Sequence, residues 1–252
     1  MLVASDQDIA SMIIAKQVEK KGFDVFYIKG KSFLTITDQD LQKCDNYIIL
    51  SRHSSAAKEP AFTVHSVGNF SPDEPRLGGL PSTLGVANAD IQSFLLHSLR
   101  QCLTSEFSNF DVVAEATHHG PLLSKSVTFI EMGSSPEVWE SQKAANLIAE
   151  AIDYFFNSLS PSEFDLSGAI GFGGGHYPRK ISDQITALGY SVGHLCPKYN
   201  LPYVNEKMVD QMSSKTVSKN GIKYALFDKK GMNRKREIRE MIEKIGLEVI
   251  EL

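Results

Sequence analysis

Glu115-Ala116-Thr117-His118-His119-Gly120-Pro121 follows a short apolar run, Asp111-Val112-Val113-Ala114, and precedes a second, Ser126 to Glu131. Both runs read as strands. Two imidazoles and a carboxylate therefore stand where a strand gives way to a tight turn. Gly120 and Pro121 force that turn, because glycine tolerates positive φ and proline fixes its own. Binding and catalytic groups favour such strand ends. A lone His-His pair in a loop is more often a hydrogen-bonded turn than a metal site. Company changes the balance: His53 and His65 lie in another strand-end region and His176 follows a glycine run.

Working outward, strands alternate with helices. An apolar opening, Met1 to Ala4, leads to a helix capped by Ser5 or Asp6 and stopped at Lys20-Lys21-Gly22, and Asp24 to Ile28 follows as a strand. This βαβ opening predicts a parallel pair. A strand at Phe33 to Ile36 and a short helix at Asp38 to Lys43 are expected next. Asn46 to Leu50 is a buried strand that runs directly into Ser51-Arg52-His53-Ser54-Ser55. Phe62 to Val67 carries His65, which shares a face with Thr63 and Val67 and reads equally as a satisfied structural histidine. The Gly- and Pro-rich stretch from Gly68 to Asp90 reads as a long loop, either a binding loop or a plain surface excursion.

Beyond it, amphipathic helices are expected over Ala89 to Phe107 and Pro136 to Asn157. His97 lies in the first without acidic or imidazole company and is left out of the site. Strands at Ser167 to Phe172, Tyr190 to Cys196, Ile222 to Phe227 and Leu247 to Ile250, with helices at Asn205 to Ser214 and Asn233 to Ile245, complete the chain. The pattern predicts a three-layer α/β/α sandwich with a mixed, mostly parallel sheet, and no linker divides it.

Composition narrows the classes. The chain has 252 residues, 42% of them hydrophobic, enough for a sizeable core in one domain. No apolar run is long enough for a membrane helix and no leader is visible, so a cytoplasmic monomer is expected. Cys44, Cys102 and Cys196 are far apart, which excludes a CxxC zinc site and argues against a disulfide framework. Gly173-Gly174-Gly175-His176 fits neither a dinucleotide fingerprint nor a P-loop, so no nucleotide cofactor is expected. It does allow close backbone approach to a ligand, with N–H groups open to an oxyanion or phosphate, and Arg179 and Lys180 start the helix that follows.

The formal net charge of −4 hides an asymmetry. Lys215 to Lys244 holds ten Lys or Arg against four Asp or Glu, a local +6 that leaves −10 elsewhere. Such a basic C-terminal segment, 215–252, is a candidate phosphate-binding surface, or a solvated helix face laced with i to i+4 pairs.

Taken together, Ser51-Arg52-His53-Ser54-Ser55, Thr63-Val64-His65 with Gly68-Asn69, Thr117-His118-His119-Gly120-Pro121, Phe129-Ile130-Glu131-Met132-Gly133-Ser134 and Gly173-Gly174-Gly175-His176-Tyr177 resemble the motif series of the archaeal and plant type of D-aminoacyl-tRNA deacylase. Gly193-His194 with Pro197-Lys198-Tyr199 is similar to its last block. The resemblance spans about residues 51 to 199. It implies a zinc-dependent esterase that frees D-amino acids from mischarged tRNA on a phosphorylase/hydrolase-like fold. Neither the N-terminal segment nor the basic tail carries a matching motif.

The ester of an aminoacyl-tRNA is already activated, so its hydrolysis needs an activated water and a place for the oxyanion, both of which zinc supplies. On residue type His53, His118 and His119 are the first candidates as ligands, with His176 or His65 completing the set or holding a second ion. Glu131 or Glu115 would be a ligand or the base, and His176 an alternative acid or base. A metal-free route stays open, in which Gly120, Gly174 and Gly175 offer backbone donors to the oxyanion. For tRNA phosphates the candidates are Arg179, Lys180, Arg234, Lys235, Arg236 and Arg239. Two rivals belong to other classes: a zinc peptidase or amidohydrolase, against which the missing HExxH argues, and a non-catalytic tRNA-binding protein.

Overall fold

The computed structural model describes residues 1–158, 164–230 and 232–252. Its first half runs β1 (Leu2–Ser5), α1 (Ile9–Lys20), β2 (Val25–Ile28), β3 (Asn46–His53), β4 (Ala61–Ser66), β5 (Gly68–Asn69), β6 (Thr83–Leu84), β7 (Ala87–Asn88), α2 (Ala89–Cys102), β8 (Asp111–Ala114) and β9 (Ser126–Gly133). The second half runs α3 (Pro136–Trp139), α4 (Gln142–Asp153), β10 (Gly168–Gly173), α5 (Arg179–Thr186), β11 (Ser191–Cys196), α6 (Glu206–Ser214), β12 (Thr216–Val217), β13 (Ile222–Asp228), α7 (Lys235–Lys244) and β14 (Glu248–Glu251).

The expected α/β class with mixed, mostly parallel pairing is what forms. The strands divide between a six-stranded sheet of order β2-β1-β3-β9-β4-β8 and a four-stranded parallel sheet of order β11-β10-β13-β14, with two short ribbons beside them. In the larger sheet β4 runs antiparallel to β9 and parallel to β8. Helix α2 packs on β4 and β8 of the first sheet and on β11 and β10 of the second, so one helix serves both. Gln92, buried on α2, shows how: its amide donates to the Val192 and Gly193 carbonyls, and its carbonyl accepts from Ser66 Oγ.

Strand periodicity sorts the side chains of the six-stranded sheet between two cores. Ile48 and Leu50 of β3, Ile130 and Met132 of β9, and Phe62 and Val64 of β4 pack with α1, α2 and α4. Tyr47 and Ile49 of β3, and Val127 and Phe129 of β9, pack on the opposite face with Phe33, Ile36 and Leu41. Continuing the alternation, Ser51, His53, Glu131, Thr63 and His65 belong to this second face. So does Glu115, one residue past β8. The polar site is therefore the second core continued upward in different chemistry.

Several local expectations give way. Helix α1 is capped by Asp8, whose carboxylate accepts from Ser11 N–H, while Ser5 stays in β1. Phe33–Thr35 is a 3-10 turn rather than a strand, because Ser32 caps it and it plugs the second core through Phe33. The long helix expected from Pro136 breaks after Trp139, and Ser141 starts a new one by accepting from Ala144 N–H.

Candidate active site

The two sheets are stitched together at the central turn. Past β8, Ala116 N–H donates to the His176 carbonyl at 2.8 Å and Thr117 N–H to the Leu195 carbonyl at 2.9 Å. Leu195 N–H returns a bond to Thr117 Oγ1 at 3.0 Å. This backbone seam brings the glycine run after β10 against the end of β8, and with it His176 against Glu115. His119 adopts a left-handed φ of 44°, so the strand alternation stops and consecutive rings can both face the cavity. The His118 and His119 ring centroids are 4.3 Å apart.

Glu115 is the hub. His176 Nε2 lies 2.7 Å from Glu115 Oε2 and His118 Nε2 lies 3.8 Å from the same oxygen. His53 Nδ1 approaches Glu115 Oε1 at 3.1 Å and Glu131 Oε2 at 3.4 Å. That His53–Glu115 approach is an ion-pair distance out of line for a hydrogen bond, and Oε1 is left without a hydrogen-bonding partner. His65 Nε2, 3.7 Å from Glu131 Oε1, is likewise buried and unpartnered, as is Thr63 Oγ1. Orphaned buried polar atoms are costly unless a further partner binds there.

The hydrogen bonds set tautomers. His118 Nδ1–H donates to the Ala116 carbonyl at 2.8 Å and His119 Nδ1–H to the Gly120 carbonyl at 2.5 Å, leaving the Nε2 lone pair of each ring free. Burial lowers the pKa of His118 well below the ordinary value, and that of His119 to about 4, with the neighbouring imidazoles adding to it. Both rings stay neutral, the form in which imidazole binds metal. Burial acts against charge on His53 too, but the two carboxylates outweigh it and lift that pKa to about 11. Burial likewise opposes the charge on Glu115, yet His176 and His53 hold its pKa well below the usual value.

Three overlapping groups have potential ligand atoms within 4.8 Å of one another: His65 with His118 and His119; Glu115 with His118 and His176; His53 with Glu115 and Glu131. His118 joins the first two and Glu115 the last two. The expected trio of His53, His118 and His119 does not share one of these groups. His53 turns Nδ1 to the carboxylates and Nε2 to Tyr177 Oη at 2.7 Å, and its place beside His118 and His119 is taken by His65. The structural reading of His65 does not account for its orphaned Nε2.

A cavity of about 490 Å³ opens over these groups, lined by His53, His118, His119, Glu131 and His176 together with Asp8, Arg52, Leu34, Leu77 and Phe129. A cleft of about 520 Å³ bordered by Gln17, Lys20, Cys102 and Glu150 holds no histidine and no convergent ligand group.

Other sequence candidates move away from chemistry. Gly120 N–H is committed to the Leu77 carbonyl at 2.9 Å, so it is not offered to an oxyanion. A Cβ there would strike Gly79 and Gly78, so this glycine serves close packing against the 68–85 loop. Gly174 and Gly175 do not line the cavity. Gly174, at φ 67°, packs on Pro178 and its carbonyl accepts from Lys198 N–H, so it shapes the turn that delivers His176.

The basic residues are largely engaged. Arg179 makes a two-pronged pair with Asp111 at 2.8 and 2.5 Å, and Lys180 pairs with Asp228 at 3.7 Å. Lys235 and Arg239 share Glu251, and Arg236 bonds Glu240 one turn on. Arg234 is structural: it pairs with Glu237 and donates to the carbonyls of Leu201, Pro202 and Val204. Helix α7 is thus a charge-laced face, as its i to i+4 spacing allowed.

The sequence reading missed Asp8, Tyr177, Tyr199 and Trp139. Asp8 Oδ2 accepts from Ser51 Oγ and Arg52 N–H, tying the start of α1 to the end of β3, and Trp139 Nε1–H donates to the His53 carbonyl at 2.7 Å. Tyr199 Oη lies 3.0 Å from His176 Nδ1. Tyr177 and Tyr199 stand inside blocks already singled out, so a hydroxyl next to each imidazole block was the available signal.

The family model described as D-aminoacyl-tRNA deacylase matches residues 40–250. A D-aminoacyl-tRNA deacylase of Methanocaldococcus jannaschii is 35% identical, covering 98% of this chain and 97% of its own length. One from Staphylothermus marinus is 38% identical over 81% of this chain and 72% of its own. A crystal structure of a conserved protein of unknown function superposes with a TM-score of 0.87 at 24% identity, covering 99% of this chain and 94% of that one, and shows the same fold. On this match of sequence along nearly its whole length, the chain belongs to the D-aminoacyl-tRNA deacylase family.

Proposed function

We propose that this chain hydrolyses the ester between a D-amino acid and the terminal ribose of tRNA, releasing free amino acid and intact tRNA, with zinc bound in the histidine-carboxylate cluster. One observation supports it above the others: His53, His65, Glu115, His118, His119, Glu131 and His176, drawn from both sheets, form one connected set of ligand groups under one cavity.

The donor set fits zinc. Neutral imidazoles with a free Nε2, carboxylates and no thiolate are borderline ligands, and two buried atoms, His65 Nε2 and Glu115 Oε1, have no other partner. His65, His118 and His119 would hold one ion through Nε2, which leaves Glu115 and His176 outside its ligand set. Bound zinc supplies a water of lowered pKa and a polarised carbonyl.

The chain itself handles the proton. As water oxygen bonds to the ester carbonyl carbon, the Glu115 carboxylate, whose Oε2 accepts from His176 Nε2–H, takes the water's proton on Oε1, the oxygen with no other hydrogen-bonding partner. As the carbon–oxygen bond to ribose breaks, the same pair returns it to the departing ribose oxygen. Tyr199 fixes the outer nitrogen of His176, and Tyr177 that of His53, so the rings keep their orientation through the cycle. Leu34, Leu77 and Phe129 give the amino-acid side chain an apolar wall. No helix among the described residues is long and apolar enough to cross a membrane, which accords with a substrate met in the cytoplasm.

Incubation with matched D- and L-tyrosyl-tRNA and a peptide panel, with and without chelator, tests the reading. Turnover of D-tyrosyl-tRNA alone, lost on chelation and restored by zinc, is expected. Peptide cleavage, or tRNA binding without turnover, would replace it.

A further inference from the structure

A deacylase of this kind, on the reading above, must accommodate the nucleoside that carries the ester as well as the amino acid. The reacting carbonyl is attached to the ribose of the tRNA's terminal adenosine, so the adenine lies within one nucleoside's length of His176. Phe156, Tyr199 and Tyr203 are the largely exposed aromatic side chains among the described residues. Phe156 packs on Phe23 and Phe155, away from the cluster, and of the three only Tyr199 hydrogen-bonds to a site residue.

Its setting is built. The turn Pro197-Lys198-Tyr199-Asn200 closes with Asn200 N–H on the Pro197 carbonyl at 2.9 Å, and Lys198 N–H is anchored on the Gly174 carbonyl at 3.0 Å. With its hydroxyl held 3.0 Å from His176 Nδ1, the ring is fixed at both ends while remaining 51% exposed. A hydroxyl bonded to a half-buried histidine of the site orders an aromatic face that the fold itself does not cover. Tyr199 does not line the cavity, so a base stacked on it would leave the cavity to the aminoacyl group. Lys198, exposed next to it, supplies positive charge where the nucleotide's phosphate would pass. An aromatic face beside a basic side chain is the arrangement that holds single-stranded nucleotides.

We propose that Tyr199 is the stacking platform for the terminal adenine of the tRNA, with Lys198 beside its phosphate. The same side chain then positions His176, so docking of the base and orientation of the proton carrier are mechanically joined.

Binding of two uncharged tRNAs, one complete and one lacking only the terminal adenosine, tests this without reference to catalysis. The parent should prefer the complete tRNA by on the order of tenfold. Tyr199→Leu should reduce that preference to within about twofold, the residue expected once stacking is gone. Tyr199→Phe and Tyr199→Trp keep a ring and should keep the preference, and they decide the matter if the Leu variant fails to fold. A parent without preference, a Leu variant that retains it, or ring-bearing variants that lose it would each overturn the platform. Turnover of D-tyrosyl-tRNA is measured on the same parent preparation. Its absence would sink the proposed function, whereas turnover with an unaltered preference in Tyr199→Leu would sink the platform alone.

Discussion

Glu115 and His176 are 61 residues apart in sequence and 2.7 Å apart at Oε2 and Nε2. The carboxylate stands one residue past a strand of the six-stranded sheet and the imidazole follows a strand of the four-stranded one. Each is aimed by something outside itself: Glu115 by the backbone seam at Ala116 and Thr117, His176 by Tyr199. The pair is therefore a joint between sheets as well as a group able to carry a proton. It lies under the same cavity as the histidines that offer free Nε2 atoms.

Metal content should follow the ligand groups. After chelation and dialysis, atomic emission should find the parent taking up at least one zinc per chain. His118→Ala, which breaks two of the three groups, should lose most of that uptake and at least about a hundredfold in activity, roughly 2.7 kcal/mol. Full zinc uptake by His118→Ala would remove it from the ligand set.

Gly133 faces His53 across the β3–β9 ladder, and a Cβ there would meet the His53 carbonyl oxygen well inside van der Waals contact. Gly133→Ala must part the strands at the point where Trp139 also holds that carbonyl. A loss of about 1–3 kcal/mol in stability and of tenfold or more in turnover is expected, measured by denaturant unfolding and deacylation. A variant matching the parent in both would show that the ladder has slack there.

His194 gives a pH signature separate from catalysis. Burial lowers its pKa in the folded chain to about 4 from 6.5, and it is held by Thr117 Oγ1 and the Gly85 carbonyl. Between those two values the unfolded chain takes up a proton that the folded chain refuses. Stability therefore falls as pH drops from about 6.5 to about 4 and this contribution levels off below, amounting to about 3 kcal/mol in all. Unfolding free energies across that range should show a shallower decline in His194→Gln, and an unchanged slope would assign the dependence to other groups.

Much of this molecule is legible in its sequence. Period-two alternation locates β3, β8 and β9, and the blocks containing His53, His118, Glu131 and His176 each stand at the end of an apolar run. What spacing does not carry is the second coordinate of each strand. That β4 enters antiparallel and places His65 by Glu131, rather than leaving it as a packed core ring, depends on pairing between distant segments. Gly120 read as a backbone donor because its partner, the Leu77 carbonyl, lies in a loop of no regular period. Ser5, Asp6 and Asp8 are all good caps by residue type, and only the extent of β1 decides among them.

The basic helix separates two kinds of arginine. Arg234→Ala removes bonds to three carbonyls and should lower stability by about 1–3 kcal/mol with little change in the salt slope of tRNA binding. Neutralising Lys235 and Arg236, paired only at the surface, should leave stability nearly unchanged and weaken tRNA binding with a flatter salt dependence. Identical salt slopes for that double variant and the parent would place the RNA elsewhere.

The joint between the sheets is tested by a double-mutant cycle on kcat/KM for D-tyrosyl-tRNA, using Glu115→Gln, His176→Gln and the two combined. If carboxylate and imidazole act as one unit, each single change costs at least about a hundredfold and the combined variant is no worse than the poorer single by more than about threefold. Losses that multiply, or single variants within tenfold of the parent, would contradict a common hydrolytic site built from both sheets.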